Sequence, residues 1–78
     1  SKVLRLEDFK ATNGPDLYVY LASDTRASEF VSLGELKANN GNQNYEIPDS
    51  TDLEKYNKVL IWCKTFGVLF GIADLSSQ

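Results

Sequence analysis

The 78-residue chain has no histidine, no methionine and a single cysteine. Without histidine it lacks the commonest general base and the commonest zinc ligand. Without histidine and methionine, a haem iron would have only a thiolate or a phenolate for axial ligand. One cysteine closes no internal disulfide, so the only covalent cross-link open to it runs between chains. Lys and Arg form no cluster, and the formal net charge is −3. The electrostatic footprint for nucleic acid or for an anionic membrane is therefore missing. No apolar run reaches the roughly 18 residues of a membrane span. No Asn-x-Ser/Thr acceptor and no signal peptide is present.

Residues 1–78 read as one domain, and a chain this short buries only about 60% of the surface it exposes when unfolded. The core is thin, and the richest apolar stretch, Val59 to Gly71, is its expected centre. That stretch holds the only Trp, the only Cys and two of the four Phe residues. Its first half does not alternate, which marks a strand buried on both sides. Lys64-Thr65 is the expected hairpin turn, setting Cys63 opposite Phe66, Trp62 opposite Gly67, Ile61 opposite Val68 and Val59 opposite Phe70. The indole of Trp62 would then cover the bare Gly67.

The remaining elements follow in chain order. Val3 to Phe9 begins as a strand with Leu4 and Leu6 on one face, followed by the turn formers of 12–16. Leu17-Tyr18-Val19-Tyr20-Leu21 is a period-two strand with aliphatics on one face and tyrosines on the other; the tyrosines are either surface packing or a stacking platform for a ligand. Residues 23–30 should form a loop with at most a helical turn. A short strand over 31–37 is expected to kink at Gly34. Ala38 to Asn44 reads as an amide-rich turn, with Asn40-Gly41 as its hairpin signal. Thr51-Asp52-Leu53-Glu54 fits a capping box opening a brief helix through Tyr56, with Asp49 and Ser50 as competing caps. After Asp74 the tail should fray. Six short strands separated by turns predict an all-β fold, a small antiparallel β-sandwich or partial barrel.

Few side chains carry chemistry. Asp49 and Asp52 are loop acids rather than a catalytic pair, and no nucleophile–base pair assembles without histidine. A self-contained catalytic constellation is absent, and no metal site is expected. Cys63 alone has redox chemistry, through its thiolate, set against the reading in which a buried cysteine is an inert small hydrophobe. Asp16 either bonds backbone amides within its turn or contacts a ligand.

In this order, Asn13-Gly14-Pro15-Asp16-Leu17-Tyr18-Val19-Tyr20-Leu21, then Tyr56, then Ile61-Trp62-Cys63 with Phe66, Phe70 and Gly71 resemble the DM-thirteen domain family over roughly residues 3 to 75. The resemblance implies a small β domain of animal cell-surface proteins, often beside DOMON domains and b-type cytochromes, and of bacterial and archaeal exported proteins. It implies an extracellular or periplasmic setting and a role in electron transfer. That role is centred on a cysteine acting as a bare thiol or holding a group such as haem. Carried onto this chain, the cysteine is Cys63, with Trp62, Phe66 and Phe70 as its aromatic neighbours and Gly14, Pro15 and Asp16 as the turn motif. The glycine-containing strands that open other members are not matched, which implies an unpaired sheet edge that another chain could fill. Two functions follow. One is a redox accessory domain exchanging electrons through Cys63. The other is a non-catalytic extracellular structural or adhesion module, assembling with a protein partner or with itself through a sheet edge, with Cys63 in the core.

Overall fold

The computed structural model describes residues 2–11, 14 and 16–75. Among these, six strands form two antiparallel sheets and no helix is present. The strands are β1 (Lys2–Lys10), β2 (Leu17–Ala22), β3 (Phe30–Glu35), β4 (Asn40–Ile47), β5 (Lys58–Cys63) and β6 (Val68–Asp74). One sheet pairs β1 with β4, and the other has the order β3-β2-β5-β6. No helix is long and apolar enough to cross a membrane.

Period-two patterning builds the interior. Leu4 and Leu6 of β1, with Tyr45 and Ile47 of β4, meet Leu17, Val19 and Leu21 of β2 and Val59, Ile61 and Cys63 of β5. This is the all-β, sandwich-like arrangement expected from the alternation. The other face of the larger sheet carries a smaller cluster, in which Tyr20, Ala22 and Leu60 are buried and Tyr18, Ala27 and Trp62 pack around them. Residues on both faces of β5 are thus covered, which explains its unalternating apolar run.

Three local expectations give way. Asn40-Gly41 is no hairpin turn: Asn40 faces Lys10 and Gly41 faces Phe9 inside the β1–β4 ladder. Leu4 and Leu6 need a partner strand that continues the inner layer, and Tyr45 and Ile47 supply it. Extending that register draws Asn40 to Asn44 of the amide run into β4. Between Leu6 and Phe9 two residues of β1 stand where β4 has one. Asp8 absorbs the extra residue at φ 51, and its N–H donates to Asn42 Oδ1 at 2.9 Å. The amide of the buried Gln43 is satisfied by the backbone of Ala38 and by the Tyr45 hydroxyl.

The second correction is the β5–β6 register, shifted by two or more residues from the expected one. Cys63 faces Val68, Trp62 faces Leu69, Ile61 faces Gly71 and Val59 faces Ala73. The loop is Lys64–Gly67, and its last residue takes φ 64, a conformation glycine adopts without a Cβ penalty. Gly67 is therefore consumed by the turn. The glycine covered from across the strand pair is Gly71, where a Cβ would lie 3.6 Å from Ile61.

Residues 23–29 form the loop expected there, tied by Asp24 Oδ1 accepting from the N–H groups of Arg26 and Ser28 at 3.0 and 3.2 Å, and Phe30 already belongs to β3. The third correction is the brief helix through Tyr56. At 51–56 a single turn forms, with Tyr56 N–H bonded to Asp52 O at 2.9 Å. Its cap is Asp52, whose Oδ1 accepts from Glu54 and Lys55, rather than Thr51. Asp wins because its carboxylate reaches both amides at once. The kink foreseen at Gly34 is present: its φ is +107 and the β2–β3 register shifts between Tyr18 and Tyr20. The expected fraying of the tail falls on Ser76, Ser77 and Gln78, outside the described residues.

Thr51 is left with a buried hydroxyl that has no hydrogen-bond partner among the described residues. An orphaned buried polar group costs about 1–3 kcal/mol. Thr51→Val keeps the shape and removes the hydroxyl, so it is expected to stabilise the domain by about 1 kcal/mol. Urea denaturation would show a higher midpoint at unchanged slope; a lower midpoint would mean that the hydroxyl is partnered in solution.

Candidate functional site around Cys63

Strand alternation decides what surrounds the one thiol. On β5, Val59, Ile61 and Cys63 point inward while Leu60 and Trp62 point outward. Cys63 is 0% exposed and packs within the main core, opposite Leu17 of β2 and Val68 of β6. Trp62 lies on the other side of the same sheet. Phe66 sits in the β5–β6 loop at 67% exposure. Phe70 is half-buried against the main core, so of the three aromatics only it shares the interior layer with Cys63.

The turn before β2 is fastened to the loop that follows Cys63. Asp16 takes φ 60, and its backbone carbonyl accepts from the N–H of Lys64 at 3.1 Å. Its carboxylate accepts from the Thr65 hydroxyl at 2.9 Å. Gly14 lies under the Phe70 ring, where a Cβ would stand 2.5 Å from Phe70 Cε2. Gly14 and Asp16 thus both meet the β5–β6 hairpin at the end of the sandwich where Cys63 lies. Pro15 and Asn13 of the same motif lie outside the described residues. Beside the turn is a depression of ≈ 400 Å³ lined by Gly14, Asp16, Leu17, Glu35, Leu36 and Asn39. The partners Lys64 and Thr65 were not identified from sequence, because Thr65 is 49 positions from Asp16 and only the pairing of β2 with β5 brings them together.

The outward face is aromatic. Tyr20 stacks on Phe30 at 4.1 Å between centroids and lies 6.3 Å from Trp62 and 6.4 Å from Tyr18. Lys64 Nζ lies 5.0 Å above the Tyr18 ring, and the Tyr18 hydroxyl donates to Glu35 at 3.5 Å. Burial, then the charge of Asp16, raises the Tyr20 phenol above its ordinary pKa. The same two causes, then Glu35, raise that of Tyr18. These tyrosines are packed into the sheet's second apolar layer, with Tyr20 wholly buried. Phe30, which forms the tightest ring contact, was read from sequence only as part of a loop.

Among the described residues no three His, Cys, Asp or Glu come together to hold a metal. A haem does not fit at the thiol: Cys63 is sealed within the main core, and neither the depression near Asp16 nor a larger groove beside β1 borders it.

A family model described as Electron transfer DM13 matches residues 1–75. No curated protein and no solved structure matches the chain.

Proposed function

This chain belongs to the Electron transfer DM13 family, and on that footing we propose that it is an accessory electron-transfer domain whose reacting group is Cys63. The observation that carries the reading is the latch at Asp16. The thiol is closed off beside a turn held through Lys64 N–H and the Thr65 hydroxyl, both exposed residues, so a local opening reaches it without dismantling the core. In the opened state the chemistry is thiol–disulfide exchange with a partner. The Cys63 sulfur bonds to one sulfur of the partner's disulfide, the S–S bond breaks, and the departing thiolate takes up the proton that Cys63 released. This chain has no second cysteine, so a thiol of a second molecule completes the transfer: it attacks the Cys63 sulfur of the mixed disulfide, the first partner leaves as a dithiol reduced by two electrons, and Cys63 and the second thiol remain joined as the oxidised pair. The compartment that goes with this reading is an exported one, extracellular or periplasmic, where disulfides persist.

Complete burial of Cys63 favours a second reading, in which the thiol is core packing and the domain is an extracellular structural or adhesion module. Native-state labelling with a maleimide across low urea concentrations separates the two. A local gate gives a rate nearly independent of urea, and Asp16→Ala speeds it several-fold without a matching fall in the unfolding midpoint. A core thiol reacts only through global unfolding, with the full urea slope, and Asp16→Ala then changes the rate only in step with stability. That second outcome would overturn the redox proposal.

A further inference from the structure

The register of the larger sheet sets a carboxylate, a phenol and an indole side by side on its outward face. Tyr18 of β2 lies opposite Glu35 of β3 on one side and opposite Trp62 of β5 on the other. Residues directly opposite on one face have Cβ atoms about 4.5–5.5 Å apart. The Tyr18 hydroxyl donates to Glu35 Oε1 at 3.5 Å, and the Tyr20 ring lies 6.4 Å from that of Tyr18 and 6.3 Å from that of Trp62. Tyr18 and Trp62 are half-buried, so both remain partly open to solvent. Packing asks only for rings, and phenylalanine would meet that demand. One-electron chemistry asks for more: a phenol gives up an electron readily only when its proton has an acceptor, and an indole gives one up without losing its proton first.

We propose that Glu35, Tyr18, Tyr20 and Trp62 form a one-electron relay, which takes an electron in at Tyr18 and passes it out at Trp62. The oxidant is an oxygen-centred radical of the peroxyl class, reaching Trp62 from solvent. It takes one electron from the indole and, with a proton from water, becomes a hydroperoxide. The indole radical cation is refilled by one electron from Tyr18, tunnelling across the cross-strand contact or through the Tyr20 ring, and the phenolic proton passes to the Glu35 carboxylate. Tyr18 is left as a neutral phenoxyl radical and Glu35 as the acid. A hydroquinone-class reductant returns the electron and sheds a proton to water, while Glu35 returns its own, so each turn carries one electron from reductant to oxidant. Burial and the charges of Asp16 and Glu35 hold the Tyr18 phenol protonated until it is oxidised. The same two carboxylates, against the Lys64 ammonium above the ring, stabilise a hole there. The inference shares with the reading above only the electron-transfer role, because Cys63 points to the opposite face and takes no part.

Pulse radiolysis with the azide radical, which oxidises indole ahead of phenol, tests the relay on the whole chain. The expected record is a first-order decay of the indolyl absorption matched by a rise of the phenoxyl absorption, at a rate independent of protein concentration. Tyr18→Phe keeps the ring and should slow that rise at least about tenfold. Tyr45→Phe and Tyr56→Phe, on the side of the main core, should leave it unchanged. Glu35→Gln should make the rise depend on the concentration of buffer base, which a merely structural role for Glu35 would not do. Cys63→Ala should leave the rate unchanged. A concentration-dependent indolyl decay in the wild-type chain, or a rise that survives Tyr18→Phe at full rate, would overturn the relay. Loss of the rise in folded Cys63→Ala would also overturn it, by placing the thiol in the path. Failure of the maleimide test removes the Cys63 reading alone, since none of the relay kinetics depends on it.

Discussion

Leu21→Ala is expected to lower the stability of this domain by about 2–5 kcal/mol. Leu21 lies in β2, one of the two inner strands of the four-stranded sheet, is 0% exposed, and contributes to the core shared by both sheets. Truncation removes the transfer free energy of its methyl groups and leaves a cavity. Rigid strands paired on both sides, to Val59 of β5 and Val31 of β3, hinder its collapse. A domain of 78 residues has about 4–12 kcal/mol in total, taking 0.05–0.15 kcal/mol per residue. The substitution therefore removes from a sixth of the stability to more than all of it. Urea unfolding followed by the single Trp would register it, and a loss below about 1 kcal/mol would mean that the two sheets close over the gap. A paired Leu60→Ala, on the opposite face of the same sheet, would show whether the aromatic layer collapses more readily than the main core.

The second large effect is expected at the turn beside the candidate site. Gly14→Ala should cost about 1–3 kcal/mol, the range for inserting atoms into a packed region. The new Cβ would stand 2.5 and 2.8 Å from two carbons of the Phe70 ring, closer than real contacts allow, so the ring must shift. Phe70 is half-buried against the main core, and moving it disturbs the inner layer beside Cys63. A double-mutant cycle tests the cause. In a Phe70→Leu background the flat ring is gone, so Gly14→Ala should lose most of its cost, giving a coupling of about 1 kcal/mol or more. Additive effects would show that Gly14 serves the backbone of the turn instead. The cycle also bears on function, because the Gly14 contact and the Asp16 latch close the same end of the sandwich.

Much of the architecture was legible in residue order because it depends on side-chain alternation. Leu4 with Leu6, Leu17 with Val19 and Leu21, and Val59 with Ile61 and Cys63 each fall at period two and all face the core. Asp16, Gly34 and Cys63 stood out for reasons of local chemistry, and the bend at Gly34 and the αL conformation of Asp16 follow from those residue types. Partner choice and register were not legible. Asn40-Gly41 satisfies the local preference for a hairpin turn, yet pairing with Lys10 and Phe9 of β1 satisfies a longer ladder, and the longer ladder prevails. Gly67 fits either a cover for Trp62 or the last residue of a four-residue loop, and only the strand pairing selects the second.

By itself the sequence determined the fold class, the inward-facing residues and the family, and its composition marked Cys63 as the one thiol. Only the tertiary structure decided that Trp62 and Cys63 face opposite sides of one sheet within their own clusters. It alone joined Asp16 to Lys64 and Thr65, and brought β3 near β4 while β1 and β6 stand apart. The physical reason is range. Alternation and turn chemistry act over a few neighbouring residues, whereas strand order and register follow from burying all the apolar faces at once, which no local stretch encodes.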